Sequence, residues 1–74
     1  MRYFFDVHDG ENETRDQDGL ECATRDQMRD EAIVALPDIA RDEPPNGERR
    51  QFRVKVRDGR GRYVFQASLE LVAE

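Results

Sequence analysis

Residues 52–71 read FRVKVRDGRGRYVFQASLEL, and this stretch does most to define the architecture. Apolar residues alternate with polar ones on both sides of residues 58–61, a pattern that predicts a hairpin of two amphipathic strands. With Arg57 placed opposite Arg62, the apolar partners share one face. The pairs predicted in this register are Val56–Tyr63, Val54–Phe65, Phe52–Ala67 and Arg49–Glu70.

A further strand is predicted for residues 2–8, an aromatic-rich run that stops at the turn signal Asp9-Gly10. Successive side chains point to opposite faces, so one set is expected to face the core. The core-facing residues are Tyr3, Phe5 and Val7, and those on the other face are Phe4, Asp6 and His8. Residues 20–22 follow the turn signal Asp18-Gly19 and predict a short strand that folds back against the first.

A helix is predicted to begin at about Arg25, because Thr24 and Gln27 form a capping-box pattern. Apolar residues then recur at three- and four-residue steps and mark the side that covers the sheet. They are Met28, Ala32, Ala35 or Leu36, and Ile39. Pro37 lies inside this pattern and predicts a kink or an early end, and residues 44–47 are expected to terminate the helix.

These elements predict an α+β fold in the order β-β-α-β-β, with a weak second strand. The strands form a single antiparallel sheet, and one helix packs on one face. The opposite face is expected to be open to solvent. We expect residues 1–74 to form a single domain.

Size and composition narrow the class of protein. A chain of 74 residues buries too little surface for high stability, which favours self-association. The single cysteine, Cys22, cannot form an internal disulfide and suits a reducing compartment, so we expect a cytoplasmic location. No run of apolar residues is long enough to cross a bilayer, and acidic residues stand where a signal peptide needs apolar ones.

Charge is distributed unevenly along the chain. Residues 1–48 hold 5 Arg and Lys against 14 Asp and Glu, whereas residues 49–62 hold seven cations against Asp58 alone. The net charge of −5 argues against nonspecific nucleic-acid binding by the whole molecule. The second half nevertheless carries a basic surface.

For each possible catalytic or metal-binding group, a structural role explains the residues better than a chemical one. His8 beside Asp6 and Asp9 resembles an oriented base, but no motif supplies a nucleophile. One histidine and Cys22 lack the paired spacing of a zinc site. Residues 16–19 resemble part of a calcium loop, but Arg25 stands where the twelfth position needs a glutamate, so we interpret them as a turn. We predict no catalytic residue, cofactor or metal site.

The predicted solvent face is the candidate interaction surface. Its residues are Phe4, Asp6, His8, Arg53, Lys55, Arg57 and Val64. Exposed apolar residues in so small a chain predict a homodimer, formed across this face or by pairing of sheet edges. The cations also fit an acidic protein partner or, as an alternative, nucleic acid.

The chain resembles a family of short bacterial proteins of unknown function over nearly its whole length. The matching segments are Arg2-Tyr3-Phe4-Phe5-Asp6, His8-Asp9-Gly10, Asp18-Gly19, Glu31-Ala32, Ile39-Ala40-Arg41-Asp42 and Phe52-x-Val54-x-Val56-x-Asp58 with Gly61. Pro37 departs from the helix-friendly residue usual in such sequences. The resemblance implies no activity, cofactor or site residue.

The N-terminal hairpin and the capped helix with Glu31-Ala32 are also similar in pattern to the HicB-type antitoxin fold. This likeness implies, by analogy of fold alone, a regulator or nucleic-acid binder. We expect no appended DNA-binding segment. We therefore expect a small non-enzymatic interaction module, with an antitoxin-like regulator as the alternative.

Overall fold

The structure, a computed structural model, describes residues 1–10, 12–42 and 49–72. One helix packs on an antiparallel sheet, which confirms the predicted α+β class. The elements are β1 (Arg2–His8), β2 (Glu13–Thr14), β3 (Leu20–Glu21), α1 (Arg25–Asp42), β4 (Arg49–Arg57) and β5 (Tyr63–Val72).

The sheet has the order β2-β1-β4-β5, and β3 also pairs with β1. One edge of β1 pairs with β4, while its other edge is shared by two short strands. β2 lies beside Val7 and His8, and β3 lies beside Arg2 and Tyr3. The predicted short strand at β3 is therefore confirmed. β2 is an additional strand within a segment too polar to signal one.

The core lies between α1 and the central strands. Alternation in β4 buries Phe52, Val54 and Val56 completely, and the helix contributes its predicted apolar stripe. The helical residues of the core are Met28, Ala32 and Leu36, with Ile39 and Ala40 packed at its margin. Tyr3 is buried and Phe5 and Val7 are partly buried, as the alternation of β1 predicts.

The Thr24 cap of α1 is confirmed, while the Gln27 side chain accepts from the residue before the cap. The backbone N–H of Gln27 donates to Thr24 Oγ1 at 3.0 Å, and the Ala23 N–H donates to Gln27 Oε1 at 2.7 Å. The prediction of an early end at Pro37 is wrong, because the helix continues to Asp42. Packing of Leu36 and Ile39 on both sides of the proline offsets the lost hydrogen bond. The predicted terminating segment, residues 44–47, lies outside the described residues.

The predicted register of the hairpin is wrong by two residues up to Val56 and by one residue at Arg57. The observed pairs are Val56–Phe65, Val54–Ala67, Phe52–Leu69 and Gln51–Glu70, and Arg57 lies opposite Tyr63. Between the Val56 and Arg57 pairs the register shifts, so Val64 is an extra residue in a bulge. Across the described residues, no helix combines the length and apolar character needed to span a bilayer.

Candidate functional site

The face of the sheet opposite α1, here called the polar face, brings together most of the predicted surface residues. They lie in three cross-strand rows, Phe4–Arg57–Tyr63, Asp6–Lys55–Gln66 and His8–Arg53–Ser68. Val64 was expected here and is not part of this face, because as the extra residue of the bulge it packs against the core. Tyr63, expected in the core, takes a place on the polar face and is 52% exposed.

The centre of the polar face is a buried ion pair. Arg57 donates from Nε to Asp6 Oδ2 at 2.8 Å and from Nη2 to Asp6 Oδ1 at 3.0 Å. Only 2% of Asp6 and 8% of Arg57 is exposed. The expectation of a fully solvated face is therefore wrong at this point, since the loop between β2 and β3 covers the pair.

Asp16 is the residue of that loop that closes over the ion pair. Its backbone N–H donates to Asp6 Oδ1 at 3.0 Å, and its carbonyl oxygen accepts from Arg57 at 2.7 Å. Its carboxylate accepts from the backbone N–H groups of Phe5, Asp18 and Gly19. The Phe5 N–H lies between the stretches of β1 that pair with β2 and β3, and neither short strand supplies an acceptor for it. The Asp16 carboxylate is the acceptor instead.

The carboxylate of Asp6 stays ionised within this network. Burial pushes the pKa of Asp6 upward, but hydrogen bonds from Arg57, the Asp16 backbone and Tyr63 outweigh it and hold the pKa below its ordinary value. The pKa of Asp16 is lowered in the same way, with burial opposing three backbone donors. Hydrogen bonds thus favour the ionised form of both acids in the folded protein.

Phe4 is half-buried and contributes less open surface than predicted. The Arg57 guanidinium lies 5.0 Å from the centroid of its ring. On the loop side, a Cβ atom added to Gly19 would lie 3.0 Å from Phe4 Cε1, so the two residues are in close contact. Phe4 therefore packs between the Arg57 guanidinium and the loop at Gly19.

His8 ends β1 and takes part in the turn that follows. Its Nδ1 accepts a hydrogen bond from the Gly10 N–H at 3.3 Å, and Asp9 Oδ1 accepts from Asn12 N–H at 2.8 Å. The structure brings Asp6 to Arg57 and Tyr63 rather than to His8. The arrangement is that of a strand end followed by a turn.

The residues considered as metal ligands from the sequence, His8 and Cys22, are not part of a common cluster. Cys22 is buried, and burial raises the pKa of its thiol. Among the residues that the structure describes, no three His, Cys, Asp or Glu side chains are grouped so as to hold a metal ion. Asp16 Oδ1 accepts from Asp18 and Gly19, which confirms the interpretation of residues 16–19 as a turn.

The remaining positive charge of the polar face is carried by Arg53 and Lys55, which lie in β4 opposite Ser68 and Gln66 of β5. Arg53 and Lys55 make no ion pair with any described residue. Lys55 Nζ lies 5.1 Å from the centroid of the Tyr63 ring. An open concavity of about 310 Å³ beside the bulge is lined by Lys55, Tyr63, Phe65 and Gln66.

Two important residues, Asp16 and Tyr63, are not among the predicted site residues. Asp16 carries a weak signal, because an aspartate before Asp18-Gly19 is typical of a side chain that accepts from the turn backbone. Tyr63 carries none, since apolar residues at 63 and 65 indicate a common face unless a bulge separates them.

The family described as "Domain of unknown function (DUF6894)" matches residues 2–70. No curated protein and no solved structure matches the chain. The match spans every element from β1 into β5, so this chain belongs to that family of domains of unknown function.

Proposed function

We propose that the protein is a small non-enzymatic interaction module of the cytoplasm that forms a homodimer by pairing β5 with β5 of a second copy. The observation that carries this proposal is the position of β5. It is the longest strand, with 10 residues, and it ends the sheet, where it pairs only with β4 among the described residues. One edge of its backbone is therefore available to another strand.

Apart from the bulge at Val64, near its start, the β5 edge lacks the features that normally prevent pairing. Proteins protect edge strands by making them short or by placing lysine or proline in them. β5 is long, has neither of these residues, and carries Glu70 as its only charged side chain. This sequence is suited to a paired strand.

An apolar margin runs along the helix side of the same edge. Arg25 donates to the Val64 carbonyl oxygen at 3.1 Å, and the Arg29 guanidinium lies 5.6 Å from the Phe65 ring centroid. Ile33 follows Arg29 by one helical turn and so lies on the flank of α1 that faces β5. Ile33 is 48% exposed and Leu71 is 37% exposed. Pairing of two β5 strands would bury both of these residues.

Dimer formation would also support a chain that is too small for high stability alone. A 74-residue domain buries a modest fraction of its unfolded surface, and one extended sheet across two copies would enlarge the core. An antiparallel β5 pair relates the copies by a two-fold axis, which gives a closed dimer.

The test compares two adjacent helix residues. Ile33→Glu places a charge on the β5 flank, whereas Val34→Glu places it on the side of α1 turned away from the sheet, at a residue that is 63% exposed. Light scattering or sedimentation at tens of micromolar is expected to show a dimer for the wild type and Val34→Glu, and a monomer for Ile33→Glu.

A second variant tests strand pairing directly. Ser68 is exposed near the middle of β5, and Ser68→Lys introduces the charge that protected edges carry. It is expected to weaken dimerisation at least tenfold while circular dichroism stays unchanged. A wild-type protein that sediments as a monomer at these concentrations would refute the proposed dimer, as would a dimer that tolerates both Ile33→Glu and Ser68→Lys.

A further inference from the structure

The concavity beside the bulge presents an aromatic ring in a fixed orientation. The Tyr63 hydroxyl donates to Asp6 Oδ2 at 3.0 Å, and Asp6 is itself buried and held by Arg57. The ring is thereby anchored at its polar end while 52% of the residue stays exposed. A half-exposed aromatic ring that is held in place is suited to stacking against a planar group.

Charged groups of both signs lie near this ring, with the acids Asp6 and Glu13 opposed by Lys55 and Arg15. Lys55 Nζ lies 5.1 Å from its centroid, and the charge of Arg15 acts on the phenol from the loop. The pKa of Tyr63 is raised, chiefly by its hydrogen bond to Asp6, with Arg15 opposing the shift. Because Asp6 neutralises Arg57, Lys55 is the cation of β4 nearest the concavity that makes no ion pair with a described residue.

Arg53 extends the positive surface along the same strand. It lies one row from Lys55, a separation of about 7 Å at the usual rise of a strand. Its Nε atom is buried and has no hydrogen-bond acceptor among the described residues. A buried donor without an acceptor is unfavourable, so turning the Arg53 side chain towards a ligand phosphate would break no hydrogen bond or ion pair to a described residue.

We propose that this part of the polar face binds a nucleoside phosphate, either free or as a unit of single-stranded nucleic acid. The base stacks on Tyr63 and hydrogen-bonds to Gln66, and the phosphate is bound by Lys55 and Arg53. Without a ligand, the Lys55 ammonium lies over the Tyr63 ring. On binding, its flexible side chain lets the ammonium leave the ring, where the base stacks, and contact the phosphate. An acidic peptide would use the cations but would have no need of the oriented ring.

The site is complete within one copy, so it does not depend on dimer formation. Its charge is local, since the whole chain has a net charge of −5 and long-range attraction of a polyanion is weak. We therefore expect a modest affinity that depends on the ring as well as on the cations.

The experiment uses the full chain at low ionic strength with two probes. Fluorescence anisotropy follows a labelled thymidine oligonucleotide, and amide chemical shifts follow thymidine monophosphate. Lys55→Gln and Tyr63→Leu are each expected to weaken binding about tenfold or more. Tyr63→Phe keeps the ring but loses the hydrogen bond to Asp6 that orients it, so it is expected to bind less tightly than the wild type and more tightly than Tyr63→Leu.

Arg41→Gln is the matched control for charge, because it removes one cation from a side chain that is 77% exposed near the end of α1. It is expected to leave binding unchanged. Lys55→Gln is also expected to reduce the dependence of log K on log salt by about 0.7, the value for one lost contact to a single strand.

Shifts at Tyr63 and Gln66 with the monophosphate indicate that the free nucleotide is a ligand, and binding of the oligonucleotide alone indicates a strand. Absence of binding to both probes at low salt overturns the proposal. Equal losses for Arg41→Gln and Lys55→Gln also overturn it, as does a poly-glutamate peptide that binds as tightly as the oligonucleotide.

Discussion

Asp6 and Arg57 form a bidentate ion pair across β1 and β4, with Oδ2···Nε at 2.8 Å and Oδ1···Nη2 at 3.0 Å. The pair is diagonal to the strand register, in which Asp6 lies opposite Lys55. Asp16 covers it from the loop and Tyr63 reaches it from β5. One carboxylate therefore joins three strands and a loop on the side of the sheet without a helix.

Asp6→Asn is expected to reduce the free energy of unfolding by about 3 kcal/mol, since it leaves the buried Arg57 charge without its partner. Urea unfolding followed by circular dichroism measures the loss. Asp30→Asn, at an exposed position of α1, is the control and is expected to change stability by less than about 0.5 kcal/mol. A similar effect of the two variants would contradict a structural role for the pair.

Acid is expected to destabilise the fold through Asp6 and Asp16. The pKa of each is lowered in the folded state from an ordinary value of 3.8. The unfolded chain therefore binds protons first, and the stability that these groups contribute above their unfolded pKa is lost as pH falls through the folded pKa. Urea midpoints between pH 6 and pH 2 measure this loss. The Asp6→Asn, Asp16→Asn double variant should give a flatter profile, and an unchanged slope would count against this cause.

Gly19→Ala is expected to cost more than about 1 kcal/mol of stability. Gly19 has φ +75°, and an added Cβ atom would lie 2.8 Å from Arg2 Cγ and 3.0 Å from the Tyr3 carbonyl oxygen. Gly59→Ala is the control, because no atom lies within 4 Å of its added Cβ and its φ is ordinary. Thermal unfolding should separate the two variants, and equal melting temperatures would show that the loop adjusts freely.

Pro37→Ala is expected to stabilise the protein by about 1 kcal/mol or more. The helix runs through this exposed residue, and alanine restores a backbone N–H that can donate to the Ile33 carbonyl oxygen. Chemical denaturation measures the gain. A decrease in stability would mean that the proline contributes more by restricting the unfolded chain than it costs in the helix.

The main elements are predictable from sequence because their signals are local. Thr24 and Gln27 mark the start of α1, and the alternation of apolar residues marks β4 and the face that it buries. Tyr3 is identified as a core residue by the same alternation in β1. Each of these predictions depends on a few neighbouring residues and a fixed periodicity.

The register of the hairpin and the covered ion pair are not predictable in this way. The bulge at Val64 moves Tyr63 to the polar face, and no residue preference specifies it. Asp6 and Arg57 are 51 positions apart, so their pairing depends on the completed sheet. A polar side chain at position 6 predicts exposure to solvent. Only the position of Asp16 in the fold shows that Asp6 is covered.

The placement of β1 has a consequence for how the chain folds. β4 and β5 are joined by a short turn and can pair early, whereas β1 must wait for β4, which follows it after the whole of α1. During synthesis the aromatic run of β1 leaves the ribosome well before the strand that shelters it. We expect the late step of folding to be the docking of β1, in which loop closure and formation of the Asp6–Arg57 pair occur together.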